Sequence, residues 1–152
     1  MKIPQNGTTG ANVNRDVKIS VIGNQESDGQ TSTTEHYAGG QYFERNGARY
    51  LIYVKEDKDS RDLTTYTLKF KDQILEMTQR GAVNTRMTFE AGRTHPANYV
   101  TDCGSLTLDV CTEDLKCQWR ETSASVMIIY KLSEKGAPLS RNQLSINFSE
   151  KD

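Results

Sequence analysis

The chain has 152 residues, enough for one domain and too few for two of ordinary size. Its 19 Lys and Arg against 20 Asp and Glu leave a net charge of −1, without the basic surplus that nucleic acid or an anionic membrane surface requires. No apolar run approaches the ~18–20 residues of a membrane-spanning helix, and residues 1–14 hold no apolar stretch of the secretory type. These features point to a cytoplasmic protein with neither nucleic acid nor membrane as partner.

Residues 1–14 are rich in Gly, Thr and Asn and follow no period-2 or period-3.6 pattern. They read as a disordered tail, ahead of a single domain over residues 15–152. From Arg15 onward, short β-like runs alternate with turn signals every ~8–12 residues, and no window carries a sustained helical stripe. The runs lie near 15–22, 31–45, 48–56, 62–70, 73–80, 83–90, 97–102, 105–112, 115–121, 124–133 and 140–149.

At each turn one register gathers apolar residues on one face. Asn46-Gly47 is the strongest hairpin signal, since both central residues take φ > 0. It pairs Phe43 with Tyr50 and Glu44 with Arg49, and puts Phe43, Tyr50, Ile52 and Val54 on the buried face. A turn at Lys71-Asp72 pairs Leu68 with Leu75 and Tyr66 with Met77. At Arg80-Gly81 a three-residue loop through Ala82, with Gly81 at positive φ, pairs Met77 with Thr85 and Leu75 with Met87. A turn at Glu113-Asp114 pairs Val110 with Cys117 and Leu108 with Trp119; one at Thr122-Ser123 pairs Trp119 with Val126 and Cys117 with Ile128. After Lys135-Gly136, one extra residue between Pro138 and Arg141 pairs Ile128 with Leu144, Val126 with Ile146 and Ala124 with Phe148. Closing Val17–Val21 onto Leu144–Phe148 then removes both free edges. The expectation is an all-β fold: a closed antiparallel up-and-down barrel of roughly ten strands.

The interior so defined is apolar, with no Arg, Lys, Asp or Glu on it. Cys103, Cys111 and Cys117 are odd in number and lack a Cys-x-x-Cys, and His36 and His95 are far apart. Neither a disulfide framework nor a metal site is expected, and nothing indicates a cofactor. Arg86, set opposite Glu76, reads as an exposed cross-strand ion pair or an anion-binding group. His95 falls in the loop Ala91–Ala97, with Arg93 and Tyr99 beside it at a barrel mouth. Cys103 lies in a turn and is the cysteine most exposed by this reading. Met127 and Ile129 point outward side by side, as a homodimer contact would.

Four blocks resemble the YwiB-like family of small bacterial proteins: Gly40–Tyr53, Gly81–Gly92, Tyr99–Leu108 and Leu139–Ile146. They occur in the family's order across nearly all of the chain after Arg15. Two loops depart from it: Thr101-Asp-Cys-Gly104 stands where Thr-Pro-Tyr-Gly is usual, and Glu56–Asp62 lacks a glycine. The resemblance implies a lipocalin-like, calycin-type barrel of unassigned function and brings no catalytic residues. Together these readings favour a non-enzymatic binder of a small apolar molecule or of a protein partner, with Arg86, Arg93, His95 and Tyr99 as candidate ligand contacts. A second reading is an enzyme or isomerase using His95, Tyr99 and Arg93. A third is a structural, oligomer-forming protein.

Overall fold

The computed structural model describes residues 14–151; most of the expected tail, residues 1–13, lies outside the described residues. Ten strands follow one another: β1 (Arg15–Ser27), β2 (Gln30–Arg45), β3 (Ala48–Glu56), β4 (Leu63–Lys71), β5 (Ile74–Arg80), β6 (Asn84–Phe89), β7 (Thr94–Thr101), β8 (Gly104–Trp119), β9 (Ser123–Glu134) and β10 (Ala137–Glu150). Each pairs antiparallel with its sequence neighbours, and β1 also pairs with β10, so the sheet closes into a barrel. No helix among the described residues is long and apolar enough to cross a membrane.

Four hairpins turn on two residues that both take left-handed φ: Asp28-Gly29, Asn46-Gly47, Asp72-Gln73 and Lys135-Gly136. That geometry matches the twist of the flanking strands. Asn46-Gly47 sets the expected pairs, with Phe43 opposite Tyr50 and Glu44 opposite Arg49. The closing seam is also as expected, Ile19 facing Phe148 and Val21 facing Ile146. So is the joint after Lys135-Gly136: an irregularity between Pro138 and Ser140 brings Ile128 to Leu144 and Val126 to Ile146.

Three joints differ from expectation by two residues. The Asp72-Gln73 turn sits one residue later than Lys71-Asp72 and pairs Leu68 with Met77 and Phe70 with Leu75. Residues 81–83 form the next loop, which pairs Met77 with Met87 and Leu75 with Phe89. Trp119 faces Ala124, and Cys117 faces Val126. A two-residue slip keeps every side chain on its own face, so apolar patterning alone does not detect it. Gly81 is not at positive φ; a Cβ there would lie 2.6 Å from Thr64 Oγ1 and 3.0 Å from the Leu63 carbonyl oxygen. Close backbone approach, not turn geometry, is what requires glycine.

Two expectations fail more deeply. No hairpin forms at Glu113-Asp114: β8 runs through it, with a bulge between Thr112 and Asp114, and both halves pair with β9. One extra residue keeps Val110, Thr112, Leu115, Cys117 and Trp119 on a single row, so ten strands stand in place of the eleven β-like runs of the sequence. The β2–β3 hairpin also turns its other face inward. Tyr42, Leu51 and Tyr53 are buried, whereas Phe43 and Tyr50 stack outside at 4.9 Å and Val54 is exposed. Both faces of this hairpin are apolar. The choice falls to β4, whose Leu68 meets Leu51 and whose Tyr66 meets Tyr53. Reversing the face also brings Glu44 and Arg49 onto the inward row, which corrects the expectation of a charge-free interior. Finally, β7 starts at Thr94, so His95 and Pro96 belong to a strand and not to a loop.

The middle of the lumen is filled. Leu51, Leu68, Leu75, Phe89, Val110, Ile128 and Ile146 have no exposed surface, so no water-sized space borders any of them. Burial of this apolar surface is the main favourable term for the fold. Space for a ligand must lie at the ends or on the outside.

Candidate functional site

One end of the barrel is formed by the Asn46-Gly47 and Asp72-Gln73 turns, residues 90–93 and residues 120–122. Trp119, the last residue of β8, lies across it, edge-on to Phe70 at 5.1 Å and to Phe148 at 6.2 Å. Arg49, early in β3, holds its guanidinium 4.1 Å above the Trp119 ring. Cation–π attraction of this kind contributes about 0.5–2 kcal/mol and fixes the guanidinium plane. Arg49 Nη1 donates to Tyr42 Oη at 3.3 Å and stands 3.9 Å from Glu44 Oε2. The Tyr42 hydroxyl in turn donates to Glu44 at 2.9 Å. Tyr42 is buried; burial first, then the bond to Glu44, raises its phenol, which therefore remains a neutral donor.

Beside this stack lies a hollow of about 770 Å³. Phe70, Ile74, Leu115 and Trp119 give it apolar walls; Arg49, Lys71 and Lys116 against Asp72 and Glu90 supply charge. The lining is thus mixed, with the amides of Gln73 and Gln118 added to these charges, and its apolar part is confined to the side of Phe70, Ile74, Leu115 and Trp119. Cys117 also lines it. The residue is exposed as a whole, yet local burial holds its thiol above the ordinary pKa, with Arg49 opposing, so a reactive thiolate is not favoured.

The four residues singled out in the sequence do not gather in one place. Arg86 is exposed on the outer face opposite Thr78, while Glu76 is opposite Thr88, so the expected Arg86–Glu76 pair is not formed. Its cause is the two-residue slip at residues 81–83. Arg93 is exposed beside the tryptophan end, where its amide donates to the Glu90 carbonyl and its own carbonyl accepts from the Thr112 amide. His95 Nε2 is 2.9 Å from Glu90 Oε1, which places this pair on the rim of the hollow. Tyr99 lies four residues further along β7, roughly 13 Å at strand spacing, and donates to Met87 Sδ at 3.3 Å. Burial raises its phenol. No nucleophile stands beside His95 or Tyr99 in these contacts.

Cys103 is exposed in its turn, its amide bonded to Thr101 Oγ1; Cys111 and Cys117 occupy opposite faces, and all three cysteines are free. Met127 and Ile129 point outward and are half-buried, with Gln143 bonded to the Met127 sulfur. Away from the Trp119 end the interior is rich in neutral rings: Tyr53 stacks on Tyr66 at 4.9 Å, and in the middle of the lumen Tyr130 meets Phe89 edge-on at 4.9 Å. Burial, with the Tyr99 phenol adding to it, pushes the Tyr130 phenol up to about 12. Among the described residues no group of three or more His, Cys, Asp and Glu could hold a metal ion.

Apolar patterning does not reveal Arg49, Tyr42, Glu44 and Trp119 as a site, because it places the Glu44–Arg49 pair on the outer face. A signal was present: the chain's single tryptophan, and an arginine directly across a hairpin from a glutamate.

The crystal structure of the ywiB protein from Bacillus subtilis superposes on this barrel with a TM-score of 0.82, covering 91% of this chain and 94% of that one at 19% identity. At that identity the likeness speaks for the fold alone. No curated protein matches the chain. Residues 19–146 match the family model described as Domain of unknown function (DUF1934), a span reaching from β1 into β10. The chain therefore belongs to the DUF1934 family, in keeping with the YwiB-like resemblance of its sequence blocks.

Proposed function

We propose that the barrel binds a small, mainly apolar molecule in the hollow at its tryptophan end, without performing chemistry on it. The observation that carries this reading is the hollow itself: about 770 Å³ beside Trp119, Phe70 and Leu115, at the mouth of a lumen whose middle is filled. The volume falls in the ~300–1,000 Å³ range of small-molecule pockets, which bind through buried apolar area with polar groups setting orientation. The rim pair His95–Glu90 and the exposed Arg93 lie at the same end and would contribute orientation rather than catalysis.

Trp119 reports on the site directly. Titration with decan-1-ol should change its emission saturably at one molecule per chain. Ile74→Asp, which places a charge on the apolar rim, should weaken that binding at least about tenfold, corresponding to ~1.4 kcal/mol. A response that never saturates, or equal binding by Ile74→Asp, would show that the hollow is not a binding site.

A further inference from the structure

Resting on the reading above, we propose that the molecule held at the tryptophan end is an amphipathic monocarboxylate, its head taken by Arg49 and its tail laid against Trp119, Phe70 and Leu115.

The argument begins with the unused hydrogen-bonding capacity of Arg49. A guanidinium carries five N–H donors in a fixed fork. Here Nη1 is directed at Tyr42 Oη (3.3 Å), with Glu44 beyond it at 3.9 Å, and no described residue accepts a hydrogen bond from Nε or Nη2. The side chain is only about a third exposed, and one face of the plane is covered by the indole at 4.1 Å. A partly desolvated cation with open donors beside a hollow is suited to a planar, bidentate anion, and carboxylate has that shape.

The guanidinium is held in place before any ligand arrives. Tyr42 is 1% exposed and tied to Glu44 at 2.9 Å, so the hydroxyl that receives Nη1 is fixed, while Trp119 is fixed in turn against Phe70 and Phe148. Little conformational freedom remains to be lost at the head-group end on binding.

The lining also limits the charge of the ligand. The lining holds Arg49, Lys71 and Lys116 against Asp72 and Glu90, with Glu44 3.9 Å from Arg49 and Asp114 3.6 Å from Lys116, so the site carries no surplus of positive charge. A singly charged head therefore meets less repulsion from these carboxylates than a doubly charged phosphate would. Phe70, Ile74, Leu115 and Trp119 offer the apolar surface for a hydrocarbon or aryl tail.

Equilibrium titration of Trp119 emission with decanoate, decan-1-ol and decyltrimethylammonium, each below its micellar range at pH 8, separates the alternatives. Wild-type protein should bind decanoate at least about tenfold more tightly than decan-1-ol, and the cationic amphiphile most weakly. Arg49→Gln should bring decanoate and decan-1-ol to within about twofold, and Arg49→Lys should keep an intermediate preference. A preference that survives in Arg49→Gln, or a wild-type ranking with the alcohol or the cation first, overturns the carboxylate assignment while leaving the hollow a binding site. If none of the three binds wild-type protein, both readings fall. The wild-type ranking decides the matter even if a variant does not fold.

Discussion

Thr112 is 1% exposed on the inward row of β8, and its hydroxyl has no hydrogen-bond partner among the described residues; the Thr85 hydroxyl is in the same position. A buried, unpaired hydroxyl costs about 1–3 kcal/mol. Thr112→Val keeps the β-branched shape and replaces the hydroxyl with a methyl, so it should raise stability by about 1 kcal/mol in urea denaturation. A loss of stability would instead mean that the hydroxyl has a partner in solution, an ordered water being the usual one. Arg49 presents the opposite case. Its charge is partly buried but supported by an aromatic face and a fixed phenol, so its open donors read as a binding feature rather than a defect.

Among the elements, the β4–β5 hairpin carries the clearest local conflict. Asp72 and Gln73 both adopt left-handed φ, +52° and +66°, as a tight hairpin turn demands. Aspartate tolerates that region; glutamine has no such preference, and three of the four two-residue turns place glycine second. Gln73→Gly should therefore stabilise the protein by about 0.5–1 kcal/mol, read as a higher midpoint in thermal unfolding. An unchanged or lowered midpoint would mean that the Gln73 side chain contributes more than its backbone costs. The same turn shows what patterning can and cannot resolve. Expected one residue earlier, it gave the correct face for Leu68, Phe70, Leu75 and Met77 but the wrong partners. Period-2 alternation defines a face; it is blind to slips of two. At Glu113-Asp114 the turn-like polar residues were a bulge within a continuous strand, and local composition does not separate these two outcomes.

For the whole molecule, closure is the controlling fact. Every strand has two hydrogen-bonded neighbours, and β1 with β10 forms a seam as extended as the hairpin ladders, from Val17–Glu150 to Glu26–Arg141. Closure pairs the two terminal strands with each other, and the barrel is most weakly joined between β6 and β7, which share only the pairs Asn84–Val100 and Thr85–Tyr99. Amides of β1 and β10 that bond across the seam should accordingly exchange with solvent as slowly as those between β8 and β9, through global unfolding alone. Markedly faster exchange confined to the seam would show that the barrel opens there first. Closure also places Arg49 over Trp119, residues far apart in the chain, by bringing β3 and β8 to one mouth.

Much of this was decided by the chain without reference to its fold: the strand-rich rhythm, the Asn46-Gly47 and Lys135-Gly136 hairpins, the extra residue beyond Pro138, and the β1–β10 seam. Each follows from alternation and turn chemistry within a few residues, or from the need to pair two free edges. Tertiary structure alone decided which face of the β2–β3 hairpin turns inward, because Phe43, Tyr50 and Ile52 on one side and Tyr42, Leu51 and Tyr53 on the other are equally apolar. Only a ring in which all ten strands share one lumen breaks that tie, and in doing so it carries Glu44 and Arg49 from the expected outer surface to the mouth of the barrel.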